Sequence, residues 1–133
     1  MSMAELSEHI GLSLSACHRR VKLLEKSGVI RHYAAVLDRR SLGLEVQVFI
    51  EVKLTSQRTE EFNAFEEAIA AMPEVLESHM ITGEFDYLMR VAVSNTAAYD
   101  ELLRNKLSQI PSVTQMRTLL SLSSVKEFDG YHL

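Results

Sequence analysis

Apolar positions along this chain follow two rhythms, and the change between them falls near residue 45. In the first part they recur at helical spacing. Met3 to Ile30 reads as two short helices joined by a turn, followed by a Gly and an extended segment. Gly11 marks the turn, because a residue without Cβ takes positive φ at little cost. Ser13 can cap the second helix by accepting a backbone N–H. Leu14, Cys17, Val21 and Leu24 then form one apolar stripe, and at about 100° per residue Ser15, Arg19 and Lys22 fall on the opposite side. Helix, Gly-Leu-Ser, helix, Gly-Val-Ile is the build of a helix-turn-helix unit, whose second helix lies in a DNA groove.

In the second part the period becomes two. Val46, Val48, Ile50, Val52 and Leu54 alternate with Gln47, Phe49, Glu51 and Lys53, as in a strand. Phe62, Phe65, Ile69 and Met72 step by three and four, giving a helix that stops at Pro73. Two β-rich runs follow, 75–81 and 87–93, joined by Thr82-Gly83-Glu84-Phe85-Asp86. A second helix carries Tyr99, Leu103, Leu107 and Ile110 on one face and ends before Pro111, and a long strand over 113–125 closes the chain. The order β-α-β-β-α-β predicts a ferredoxin-like domain with both helices on one sheet face. The fold class is therefore α+β, a helix-turn-helix head followed by that domain. The head and a hinge strand take 1–37, a linker pivoting on Gly43 takes 38–44, and the second domain takes 45–133. The blurred alternation at Leu119, Leu120, Ser121 and Leu122, and Phe49 on the uncovered sheet face, suit a surface covered by another subunit.

Charge sharpens the division. The net charge of −4 is unfavourable for a DNA binder, but residues 1–43 carry +3 and residues 44–133 carry −7. A +3 head binds phosphates weakly as a single copy, so dimerisation is expected. The 47% hydrophobic and 24% charged fractions are those of a globular protein. One Cys excludes an intramolecular disulfide framework and a Cys-rich zinc site. Neither a run of about 18 apolar residues nor a signal-peptide pattern is present, so no membrane association and a cytoplasmic location are expected.

The DNA-contacting set is Ser13, Ser15, His18, Arg19 and Lys22. Arg can fork onto a guanine edge, while Lys and Ser hold phosphates. A basic outer face is also what any solvated amphipathic helix shows, and the order of elements carries more than any one residue. Five histidines are present, none at a metal-ligand spacing such as i, i+4, and no Ser-His-Asp or paired-carboxylate motif appears. No catalytic residue, metal or cofactor is expected.

The combination resembles the Lrp/AsnC (feast/famine) transcriptional regulators over nearly the whole chain. The residues that carry the likeness are Glu5-Leu-Ser…Gly11-Leu-Ser, Arg20-Val21…Leu24-Glu25…Gly28-Val-Ile, Thr82-Gly-Glu-Phe-Asp-Tyr87 and Arg117-Thr118. The resemblance implies a plain or winged helix-turn-helix head, a hinge strand near Arg31–Leu37 and a ligand-sensing second domain. It also implies dimers that assemble into octamers and bind amino acids or related small molecules in clefts between dimers. By position it assigns the effector site to Thr82, Gly83, Phe85 and Asp86, with Thr96 and Leu119, Leu120 and Ser121 nearby. Gly83 could let an α-carboxylate approach backbone N–H groups, and Asp86 could accept from an α-ammonium. Equally, Gly83 and Asp86 could shape a hairpin turn. Family members open with another helix ahead of the segment that begins here at Met1-Ser-Met, and adding one is expected to raise DNA affinity and stability. Two alternatives remain: an assembly or sensing module without DNA binding, and a siroheme-decarboxylase-like enzyme on the same fold.

Overall fold

A computed structural model describes residues 2–11 and 13–132; Leu12 of the Gly11-Leu-Ser turn, Met1 and Leu133 lie outside the described residues. The chain separates into two units, Met1–Val36 and Leu37–Leu133.

The first unit holds α1 (Met3–Ile10) and α2 (Leu14–Lys26). Ser2 and Glu5 form a reciprocal capping box, in which Ser2 Oγ accepts from the Glu5 N–H at 3.1 Å and Glu5 accepts from the Ser2 N–H at 3.3 Å. At the other end Gly11 takes φ +69°, so the turn falls where the sequence placed it. After α2 the chain folds back, with Gly28 and Ile30 donating to the carbonyls of Glu25 and Leu24. Cys17 alone is buried among the described residues of this unit; Val21 and Leu24 are half-buried and Leu14 is 49% exposed. Leu14 therefore leaves the expected stripe. Residues 31–37, expected as a hinge strand, join no sheet among the described residues.

The second unit is built on four antiparallel strands in the order β2-β3-β1-β4: β1 (Val46–Leu54), β2 (Val75–Met80), β3 (Tyr87–Val93) and β4 (Val113–Ser121). With α3 (Thr59–Ala70) and α4 (Thr96–Asn105) in the two crossovers, the order is the βαββαβ arrangement expected. Val48, Ile50, Val52 and Leu54 of β1 and Tyr87, Met89, Val91 and Val93 of β3 point to one face, where they bury against Phe65, Ile69 and Leu102. Each such side chain contributes about 1.5–3 kcal/mol by leaving water. The opposite face carries Gln47, Phe49, Leu88, Arg90, Ala92 and Leu119.

Three sequence expectations shift. α4 stops at Asn105, and Leu107–Gln109 forms a separate 3-10 turn, because Lys106 leaves helical geometry and Pro111 disfavours helix at Ile110. Leu102 rather than Leu103 is buried there. The last strand ends at Ser121 instead of continuing to residue 125, because Ser121 pairs with Gln47 and β1 offers only Val46 before it. The 38–44 stretch contains a 3-10 turn, Arg40–Leu42, preceded by Asp38, whose carboxylate accepts from both the hydroxyl (2.6 Å) and the N–H (3.0 Å) of Ser41.

Candidate DNA-reading face and effector site

On α2 the outward face forms as the spacing requires. Ser13 Oγ accepts from the Ala16 N–H at 3.2 Å, so this serine caps the helix. Ser15, His18, Arg19 and Lys22 are exposed, and among the described residues none is held in an ion pair. Ser15, Arg19 and Lys22 lie opposite buried Cys17, with His18 at their flank. Beyond α2 the Tyr33 hydroxyl donates to Glu25 at 2.6 Å, and that bond is the main reason its pKa is raised.

The residues assigned to the effector site do not gather in one place within the chain. Thr82, Gly83 and Glu84 are exposed at the tip of the β2–β3 connection, and Gly83 takes φ +114°. Phe85 and Asp86 are buried beneath them. Asp86 is fully engaged: one carboxylate oxygen accepts from the Leu54 N–H at 2.8 Å, the other from Gln57 Nε2 at 3.0 Å. Its own N–H donates to the Val52 carbonyl at 2.8 Å. These bonds give Asp86 a structural role, pinning the loop to the end of β1.

Thr96 lies at the other end of the sheet, and Leu119, Leu120 and Ser121 run from its middle toward that end. Leu119 pairs with Phe49 and Ser121 with Gln47, which in turn face Arg90 and Ala92 of β3. Thr96 opens α4 just past Val93, whereas the loop precedes Tyr87. The length of β3, about 20 Å at 3.4 Å per residue, separates Thr96 from the loop, while Leu119, level with Arg90 in the middle of β3, lies about half as far along the sheet. Strand direction puts the start and end of β3 on opposite rims.

Residues that sequence reasoning missed surround the loop. Arg117 lies 4.7 Å over the Phe85 ring and donates to Glu51 at 2.6 and 2.9 Å, bracing the loop from the open face. On the helix side a cleft of about 480 Å³ opens between α3 and β2, lined by Glu66, Ile69, Ala70, Ser78, Met80 and Tyr87. There the Tyr87 hydroxyl donates to Glu66 Oε2 at 2.6 Å. Burial first, then Glu66, pushes the phenol far above its ordinary pKa. Arg117 and Tyr87 stood among the residues that carry the family likeness without being assigned to the site, and Met80 precedes the loop; Glu66 comes from a helix that no local pattern connects to it.

A helix pair with a free cationic outer face, ahead of a ferredoxin-like domain, defines a class: transcriptional regulators with a DNA-reading head and an α+β companion domain. The comparisons narrow it. Residues 47–131 match the Lrp/AsnC ligand binding domain, and residues 1–31 match a winged helix-turn-helix DNA-binding domain. The chain belongs to the Lrp/AsnC family. It is 40% identical over 127 residues to a proline dehydrogenase transcriptional activator of Rhizobium radiobacter, covering 96% of this chain and 81% of that protein. It is 38% identical over 127 residues to the leucine-responsive regulatory protein of Haemophilus influenzae, covering 96% and 76%. Among solved structures, a transcriptional regulator of Neisseria meningitidis in complex with L-Met superposes with a TM-score of 0.92 at 31% identity, covering 99% of this chain and 85% of that one.

Proposed function

We propose that this regulator reads double-stranded DNA through Ser13, Ser15, His18, Arg19 and Lys22 and changes its DNA affinity or assembly when an amino acid binds the second domain. The observation that carries the DNA half is the outward face of α2, where Ser15, Arg19 and Lys22 stand together, exposed and unpaired, opposite Cys17. Arg at that place can fork onto a base edge, and Lys can neutralise a phosphate. Copies pair through the open sheet face around Phe49, Leu88 and Leu119, and dimers assemble further into an octamer. Association also answers the split of the effector residues. Thr82, Gly83 and Phe85 lie at one end of the sheet and Thr96 at the other, with Leu119–Ser121 running between them, so Thr96 and the loop can serve one ligand only if they come from different copies.

The relatives named above are regulators, one of them solved with L-Met, which supports reading this chain as a sensor and not an enzyme. Fluorescence anisotropy on a promoter fragment tests the first half. Arg19→Ala and Lys22→Ala should each weaken binding by about tenfold, with oligomer size unchanged. Wild-type affinity in both variants would remove the recognition face from α2. Light scattering and DNA affinity across the amino acids test the second half, and the absence of any change sinks it.

A further inference from the structure

One apolar side chain on the outward side of α2 takes no part in packing. Leu23 is 66% exposed, more than Ile10 (50%) or Leu14 (49%), the other large apolar residues that stand open on the two helices. At about 100° per residue Leu23 lies about 40° from Arg19 and at least about 100° from Cys17, Val21 and Leu24. A helix packed on that inner stripe covers an arc of about 100°, so completing the core of the head would still leave Leu23 in the open. The segment that folds back after α2 does not cover it either. Its side-chain tie, Tyr33 to Glu25 at 2.6 Å, is made about 160° round the helix. What surrounds Leu23 is charge. Arg19 and Arg20 stand one turn before it and Lys26 one turn after, all exposed, and among the described residues none of the three is in an ion pair. Lys26, about 20° from Arg19, carries the cationic stripe of Arg19 and Lys22 to the end of the helix. A solvated helix face gains nothing from a leucine among three cations, whereas a face laid on a duplex does. Cations that grip phosphates set the helix in the major groove, and the leucine between them then meets the base edges. Thymine alone among the four bases presents an apolar group there, its C5-methyl.

We propose that Leu23 is a specificity-determining residue that reads thymine, its branched end packing on the C5-methyl of a T·A pair beside the base pair that Arg19 contacts. The inference rests on the DNA-reading face proposed above. It adds a base preference at one further position, set by burial of apolar surface and not by hydrogen bonding.

A duplex enriched from a random pool by the full chain serves as the probe, with affinity read by fluorescence anisotropy. Replacing thymidine by deoxyuridine, one position at a time, removes a methyl and leaves every hydrogen-bonding group in place. At one position in each half-site the wild type should lose about fourfold in affinity, the scale of one buried carbon. Leu23→Ala should bind the thymine duplex at least about fourfold more weakly and make no distinction between thymine and uracil at that position. Circular dichroism and oligomer size should be unaltered, since Leu23 packs on nothing in the chain. Arg19→Ala, weaker overall, should keep the distinction. A wild type indifferent to uracil at every position, or a Leu23→Ala variant that keeps the wild type's uracil penalty, overturns the inference and leaves DNA reading intact. A changed oligomer size in Leu23→Ala with that penalty retained would make the leucine an assembly contact. Loss in Leu23→Ala of binding to phosphatidylglycerol vesicles, with no uracil effect in the wild type, would give it to a lipid surface; either result overturns the inference. If no duplex is enriched, the inference and the DNA-reading face fall together.

Discussion

The two units of this chain are held together by different means. The first is organised by caps and turns around one buried side chain, Cys17, whereas the second buries a continuous cluster running from Val48 to Ile110. Local hydrogen bonds define where the helices of the head begin and end, but they add only about 1 kcal/mol each. Apolar burial in the body is worth several times more per residue. The head therefore gains its shape cheaply and loses it easily, while the body holds most of the chain's stability.

That contrast can be attacked at its strongest point first. Phe65→Ala should cost about 3–5 kcal/mol, since Phe65 is fully buried and packs on Tyr87 at 4.3 Å between ring centroids. Chemical denaturation monitored in the body would show it; a loss below about 1 kcal/mol would mean that the cluster is not the source of stability. Asp86→Ala comes next. It leaves the Leu54 N–H without its buried acceptor, and about 1–3 kcal/mol should be lost, with faster hydrogen exchange at Leu54. Capping allows a like-for-like comparison, because Ser13 and Asn95 both accept from a helix N–H, at 3.2 and 2.8 Å. Each alanine variant should lose about 1 kcal/mol, but only Ser13→Ala should visibly reduce helicity, because its helix has so little buried support. Equal helicity in the two variants would erase the distinction between the units.

A smaller effect concerns acid. Glu77 is held below its ordinary pKa of 4.5, mainly by its hydrogen bond with Arg90. A depressed carboxylate stabilises the fold at pH above its unfolded value and loses that contribution as pH falls through the folded one. Wild type should thus exceed Glu77→Gln by about 0.5 kcal/mol at pH 7, with the gap closing below the ordinary carboxylate range; a gap that widens in acid would contradict this. Smallest is Ser112, a non-glycine residue at φ +68° after Pro111. Ser112→Gly should stabilise the body by a few tenths of a kcal/mol, read as a slight rise in Tm, because relief of strain is partly offset by glycine entropy.

Where a pattern is local, the sequence foretold the structure closely. The period-two runs Val46–Leu54 and Tyr87–Val93 became β1 and β3 residue for residue, and Gly11 and Ser13 took their places around the turn. What failed depended on pairing between distant segments. The end of β4 is decided by where β1 begins, and the separation of Thr96 from the loop by the direction of β3. Neither is written in the residues concerned. Asp86 was visible as a candidate, yet its use depended on Leu54 and Gln57, 32 and 29 positions earlier. Glu66 was invisible for the same reason, since its partner Tyr87 is 21 positions away.

The charged residues along the sheet's rim have a consequence for a newly made subunit. β2 and β4 are its outer strands, and each leaves a row of backbone N–H and C=O groups without a neighbouring strand. Flat apolar rims invite strand addition and growth into aggregates. Here Glu77 and His79 stand on one rim and Arg117 on the other, with Glu77 tied to Arg90 and Arg117 tied to Glu51. Joining two such rims would force those charges out of water. The pairs that brace the sheet thus also act as gatekeepers against strand addition at either rim.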